Sequence, residues 1–153
     1  MRNGRNPTPV IVPDANLLLY AYDADSPFHT PAKQWLEHVL SGRETVGFVH
    51  PALFAFLRIA TSRKVYQNPM SVQEALEHIR SWTNRHNATL LEPHPGYLDD
   101  TGTLLVAAGS AGGNLVTDAQ IAALAIAFRG TVHTSDRDFL RFPGLKTFFP
   151  LDE

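Results

Sequence analysis

The stretch GTVHTSDRDFLRF, residues 130–142, places two aspartates directly after a short run of strand-forming residues. Asp136 and Asp138 have two explanations there, because aspartate favours turns and clustered carboxylates bind metal ions. The choice between them depends on where the other acids of the chain lie. We expect TVHT to form a buried strand that delivers these acids to one edge of a sheet, and Phe139 and Phe142 to pack onto that sheet.

Short apolar runs alternate with helix-like segments along the chain, without an internal repeat or a long linker. Strands are predicted at residues 10–12, 45–49, 88–91, 115–116 and 131–134, with an edge strand at 147–149. The helix signals between them are Thr30 as an N-cap, Pro51 as a helix start, and the capping-box pairs Ser71 with Glu74 and Thr117 with Gln120. This alternation predicts an α/β fold with a mainly parallel central sheet.

The composition is that of an ordinary globular protein, with 153 residues and 44% apolar content. We expect residues 1–9 to form a loose tail and residues 10–150 to form a single domain. The absence of cysteine excludes disulfides and thiolate zinc sites, and it fits the cytoplasmic location that we expect. The net charge is −2, so a role with nucleic acid requires a local basic patch or a bridging cation.

Three acids share one structural context in this predicted fold. Asp14 follows the strand at 10–12, Asp118 follows the predicted strand at 115–116, and Asp136 follows the strand at 131–134. Parallel strands present their carboxyl ends at one edge, so the three acids are expected to meet there. Like carboxylates repel one another, and oxygen ligands suit a hard cation such as Mg²⁺ or Mn²⁺. Each acid also has a local explanation as a helix-start or turn residue, and the residues alone leave both explanations open.

A family resemblance covers the chain from about residue 10 to residue 150. It resembles PIN-domain ribonuclease toxins of the VapC type in the segments PDANLLLYAYDADSPFH, HPALFAFLRIATSRKVYQNP, GGNLVTDAQIAALAIAFRGTVHTSDRDFLRFPGL and FFP. The resemblance implies a three-layer α/β/α sandwich and a Mg²⁺- or Mn²⁺-dependent endoribonuclease that leaves 5′-phosphate and 3′-hydroxyl ends. It also implies a type II toxin-antitoxin system, a VapB-type antitoxin that blocks the site, and a homodimer.

The same resemblance assigns roles to individual acids. It implies that Asp14, Asp118 and Asp136 are catalytic metal ligands and that Asp138 is a nearby additional catalytic acid. The family pattern has a glutamate where this chain has Ala55, and alanine cannot bind a metal. One-metal and two-metal sites therefore both remain open, with Asp138 as the candidate replacement for the missing charge. Asn16 is equally a donor that holds a carboxylate or a metal-bound water, or a simple helix-start amide.

Basic residues are densest at Arg58, Arg63 and Lys64, where a solvated helix end is favoured over contacts with RNA phosphates. The histidines show no HExxH spacing, so no zinc site is expected. Ala55 motivates an alternative function, a non-catalytic PIN-like binding module that keeps the antitoxin interface. A phosphotransfer or phosphatase domain with Asp14 as nucleophile is disfavoured, because no second acid lies two residues after Asp14.

Overall fold

The computed structural model describes residues 9–110 and 112–152 and contains a five-stranded sheet. Its strands are β1 Val10–Pro13, β2 Thr45–Phe48, β3 Ala88–Leu90, β4 Gly130–His133 and β5 Lys146–Phe148. Neighbouring strands pair in parallel in the order β3-β2-β1-β4-β5, which confirms the predicted parallel sheet. Residues 1–8, most of the predicted tail, lie outside the described residues.

Six α-helices and a 3₁₀ helix connect these strands among the described residues. The α-helices are α1 Ala15–Tyr20, α2 His29–Ser41, α3 His50–Ala60, α4 Val72–Thr83, α5 Tyr97–Ala107 and α6 Leu115–Ala127, and the 3₁₀ helix is Arg137–Arg141. Within residues 9–110 and 112–152, no helix has the length and apolar character needed to cross a bilayer.

Two apolar cores, one on each face of the sheet, make the fold three-layered. Successive side chains of a strand point to opposite faces, so the neighbours Ile11 and Val12 enter different cores. Ile11 belongs to the core that α1, α2, α3 and α4 cover, with Trp35, Phe56 and Trp82. Val12 belongs to the core that α6 covers, together with Ile121, Val132, Phe139 and Phe142. The burial of the two phenylalanines confirms the predicted packing of residues 139 and 142 onto the sheet.

The predicted strand at residues 115–116 is wrong, because these residues form the first turn of α6. Two apolar residues are compatible with either state, and Leu115 reaches its core from the helix. The capping box of Thr117 and Gln120 is wrong for the same reason, since the N-cap position is Asn114.

Of the N-caps predicted for α2 and α4, one is wrong and one is confirmed. Thr30 is not an N-cap, because α2 begins at His29. The Ser71 prediction is confirmed, because its hydroxyl accepts a hydrogen bond from the backbone N–H of Glu74 at 3.0 Å.

Gly130 allows β1, β4 and α6 to approach closely at the start of β4. A Cβ atom at this position would lie 2.9 Å from Cγ2 of Val12 and 3.1 Å from the carbonyl oxygen of Val10. Any side chain therefore forces β1 and β4 apart, and these strands lead directly into the acidic residues.

We expect Gly130→Ala to lower the free energy of unfolding by about 1–3 kcal/mol, the typical range for overpacking. Gly102→Ala is the matched control, because Gly102 lies in α5 and a Cβ there meets no atom within 4 Å. The control is expected to stabilise the protein by about 1 kcal/mol through helix propensity. Urea titration of both variants checks the pair, and equal effects would contradict the close approach at Gly130.

Candidate active site

Acidic side chains meet at the carboxyl edge of the sheet, beyond β1 and β4. These strands are neighbours with Pro13 paired to His133, so the residues that follow them leave the sheet side by side. The carboxylates of Asp118, Asp136 and Asp138 each offer an oxygen within 4.8 Å of the others. Asp14 lines the same cavity. Asp118 lies in the first turn of α6 and not at the end of a strand. The acids therefore lie together as predicted, but a helix start, not a strand end, positions Asp118.

The hydroxyl of Thr134 ties the ends of the two strands together. It donates to Oδ2 of Asp14 at 2.7 Å and accepts from the backbone N–H of Asp136 at 2.9 Å. The other carboxylate oxygen of Asp14, Oδ1, accepts from the N–H of Ala15 at 2.7 Å. Asp14 is only 5% exposed and its orientation is fixed by these two donors.

Turn formation and clustering occur together at Asp136 and Asp138. Oδ1 of Asp136 accepts from the backbone N–H of Asp138 at 2.9 Å, as expected of a turn-forming aspartate. The same turn directs the carboxylate of Asp138 toward Asp118 and Asp136. Asp138 is exposed, and its Oδ1 lies 3.9 Å from Nη1 of Arg141. The two explanations offered by the sequence are therefore compatible.

Burial and mutual repulsion penalise the charged forms of these acids. Burial, together with the negative charges of Asp14, Asp136 and Asp138, raises the pKa of Asp118 from 3.8 to about 7. Burial likewise raises the pKa of Asp14 to about 6, although the hydrogen bonds from Thr134 and Ala15 oppose the shift. A cation among these carboxylates would relieve both penalties.

The cavity around these acids has a volume of about 600 Å³ and carries further residues that the sequence singled out. Asn16, Ala55 and Arg58 lie on its wall, so the position of the missing family glutamate does face the acids. Arg63 and Lys64 lie in the exposed turn after α3 and are not among the residues lining this cavity.

Arg141 was missed by the sequence analysis and lines the same cavity. Its Nη2 donates to the carbonyl oxygen of Ala108 at 2.8 Å, which fixes the guanidinium at the cavity edge. The sequence feature that could have identified Arg141 is its position three residues after Asp138, a spacing that brings side chains together on a helical turn.

The donor set fits a hard divalent cation. Two oxygens that bind the same Mg²⁺ at about 2.1 Å lie at most about 4.2 Å apart, close to the 4.8 Å limit that holds for these carboxylates. Small side-chain rotations are enough to close the difference. The donors are all oxygen, and no histidine belongs to this group within the part of the chain that the structure describes.

His133 lies in the core instead, where its Nδ1 accepts from the indole N–H of Trp35 at 3.0 Å and burial lowers its pKa to about 4.

Known proteins resemble this chain over nearly its whole length. The PIN domain family matches residues 11–145. Ribonuclease VapC33 of Mycobacterium tuberculosis is 42% identical over 144 residues, which cover 94% of this chain and all of that protein.

The fold also resembles solved structures of low sequence identity. The crystal structure of Mycobacterium tuberculosis VapC20, a sarcin-ricin loop cleaving toxin, has a TM-score of 0.65 at 14% identity. The superposition covers 89% of this chain and 98% of VapC20. The structure of VapBC2 from Rickettsia felis, bound to a DNA fragment from its promoter, has a TM-score of 0.64 at 20% identity and covers 91% and 97%.

We expect Asp118→Asn to stabilise the metal-free protein at pH 8, because it removes a charge that repels its neighbours. The folded pKa of Asp118 lies above its unfolded value, so the folded state retains a proton between about pH 4 and pH 7. The parent protein should therefore lose stability as the pH rises through that window, and the variant should lose less.

Thermal unfolding in EDTA at pH 5 and pH 8 measures this effect. Asp118 is only partly buried, so after allowance for solvent screening a rise of about 2–4 °C at pH 8 is expected. Asp25→Asn, at an exposed position in the loop after α1, is the matched control and should show no such rise. An unchanged or lower melting temperature of Asp118→Asn at pH 8 would contradict the repulsion.

Proposed function

This chain belongs to the PIN-domain family and, within it, to the VapC ribonucleases, and we propose that it is the toxin of a type II toxin-antitoxin system. Its activity is that of a metal-dependent endoribonuclease, which hydrolyses phosphodiester bonds of RNA. The observation that carries this proposal is the meeting of Asp14, Asp118, Asp136 and Asp138 in one cavity of a chain that is 42% identical to a ribonuclease.

Asp118 and Asp136 are proposed to hold Mg²⁺ or Mn²⁺ together with Asp14, and Asp138 stands beside them. When bound, such a cation supplies water of lowered pKa and neutralises charge on the phosphoryl oxygens. Thr134 keeps the Asp14 carboxylate directed by donating to one of its oxygens.

Arg58 and Arg141 lie on the cavity wall and supply local positive charge in a chain whose net charge is −2. We assign them to the phosphates that flank the cleaved bond, because guanidinium groups bind phosphate through paired hydrogen bonds. This favours the phosphate role of Arg58, while Arg63 and Lys64 keep the role of a solvated helix end.

In the hydrolysis, the oxygen of water bonds to phosphorus and the bond from phosphorus to O3′ breaks. One fragment leaves with a 5′-phosphate and the other with a 3′-hydroxyl that has taken up a proton.

The alternative of a non-catalytic binding module depended on Ala55. The structure places Ala55 on the cavity wall, but Asp138 adds a carboxylate within 4.8 Å of Asp118 and Asp136. The relatives of known name are ribonucleases, so the alternative is not favoured. Asn16 lines the cavity, in keeping with a donor to a carboxylate or a metal-bound water.

A VapB-type antitoxin is the proposed partner, and a basic side chain from it suits the carboxylate cavity. An arginine fits best, because its planar fork pairs with carboxylates in a bidentate manner. We also propose a homodimer and a cytoplasmic location, where RNA substrates are present. Light scattering at high protein concentration tests the homodimer, and a strictly monomeric protein would contradict it.

Asp14→Asn tests the function directly. We expect the rate of RNA cleavage in Mn²⁺ to fall by more than roughly 100-fold. Loss of a residue that only hydrogen-bonds to a metal ligand typically costs about 10- to 100-fold, and Asp14 is proposed to be a ligand itself. The measurement is 5′-end sequencing of cellular RNA treated with the purified protein, with circular dichroism to verify folding and Asp25→Asn as the control. A folded Asp14→Asn protein that cleaves like the parent removes Asp14 from the mechanism. A parent without metal-dependent cleavage would favour the binding module.

Asp138→Asn and Ala55→Glu together test how the site makes up its charge. If Asp138 replaces the missing glutamate, Asp138→Asn should weaken Mn²⁺ binding by about 10- to 100-fold, as measured by calorimetry. Ala55→Gln is the control for Ala55→Glu, since it has the same shape without the charge. If Asp138→Asn binds and cleaves like the parent while Ala55→Glu raises activity, Asp138 serves the turn alone and the site is one ligand short.

A further inference from the structure

One face of α3 carries side chains that the packing of the core does not explain. His50, Phe54 and Arg58 are spaced four residues apart and therefore follow one another along the helix surface. The rings of His50 and Phe54 lie 6.1 Å apart at an interplanar angle of 27°. Phe54 is 61% exposed, although its neighbour Ala55 is buried. An aromatic and basic stripe of this kind is typical of surfaces that bind single-stranded nucleic acid.

The stripe forms one wall of a cleft of about 320 Å³ between α3 and α6. The opposite side carries both apolar and polar groups, namely Pro93, Tyr97, Gln120 and Leu124. Arg58 and Thr117 line both this cleft and the carboxylate cavity, so the two spaces are adjacent. An RNA strand whose phosphate lies at the carboxylates would therefore place its adjacent nucleotide beside the cleft.

We propose that this cleft binds one unpaired base of the RNA substrate, next to the phosphate that is cleaved. The proposal rests on the proposed function, because it deepens the substrate of the same site. Phe54 stacks on the face of the base with His50 behind it, and Gln120 offers amide hydrogen-bond groups to the base edge. Arg58 lies where the cleft meets the cavity and binds the intervening phosphate. A paired base cannot leave its stack to enter such a cleft without losing its partner, so the substrate at this point is single-stranded.

A second copy of the chain is the competing occupant for an exposed phenylalanine. The surroundings of Phe54 favour a base, because His50, Arg58 and Gln120 present polar groups and the cleft lies next to the carboxylate cavity. An apolar protein contact is better matched by the aliphatic side chains of α5, where Leu98 is 83% and Val106 79% exposed.

Equilibrium binding of two RNA-like probes tests the proposal. The probes are a fluorescent 12-nucleotide oligoadenylate and a 12-unit ribose-phosphate strand without bases, and the protein carries Asp14→Asn throughout to prevent cleavage. The variants on this background are Phe54→Ala, Phe54→Trp and, as the control at an exposed apolar side chain outside the cleft, Leu98→Ala. The ratio of the two dissociation constants isolates the contribution of the bases, whatever the metal content of the site.

We expect Phe54→Ala to weaken binding of oligoadenylate by about 5- to 150-fold and to leave the strand without bases unchanged. Phe54→Trp should retain the binding of the parent, because tryptophan also stacks. Leu98→Ala should change neither probe. The proposal is overturned if Phe54→Ala weakens both probes equally, or neither. It is also overturned if light scattering shows that Phe54→Ala dissociates a dimer without any base-dependent change. The proposed function fails by a separate result, the absence of RNA cleavage by the parent chain in Mn²⁺.

Discussion

The hydroxyl of Thr134 holds together the part of the molecule on which the site depends. It is fully buried, donates to Asp14 at the end of β1 and accepts from the backbone of Asp136 beyond β4. The backbone N–H of Asp14 also donates to the carbonyl oxygen of His133 at 2.9 Å. Two neighbouring parallel strands are thus joined just beyond their last paired residues. This linkage fixes the distance between acids that would otherwise move apart under their mutual repulsion.

The carboxylate cavity is the place where the requirements of folding and function conflict. A sheet edge with several carboxylates is electrostatically unfavourable, and the raised pKa values of Asp14 and Asp118 express that penalty. The surrounding fold tolerates the penalty because it is well packed elsewhere, with two separate apolar cores on the faces of the sheet. A divalent cation bound there would resolve the conflict, and would bring positive charge to a phosphate in a chain whose net charge is negative. The arginines at the cavity wall contribute to the same balance.

The sequence predicted most of the fold, because strand and helix signals alternate clearly and the acids follow the strands. It failed at residues 115–116, since two apolar residues do not distinguish a strand from the first turn of a helix. The position of Asp118 was nevertheless anticipated, because the start of α6 lies at the same edge of the sheet as the ends of β1 and β4. Thr134 and Arg141 were not identified, since a hydroxyl in a strand and an arginine in a turn gain their roles only from neighbours distant in sequence. The adjacency of the cleft at Phe54 and the cavity is likewise a property of the packing of α3 against α6.

Anomalous diffraction from crystals grown with Mn²⁺ tests the central claim, that the clustered carboxylates form a cation site. Data collected on both sides of the manganese absorption edge locate the ion without reference to its chemistry. We predict a peak within about 2.5 Å of carboxylate oxygens from both Asp118 and Asp136, in the cavity that Asp14 lines. A saturated crystal with no manganese peak in this cavity, or with its manganese bound only at other acids of the surface, would contradict the account.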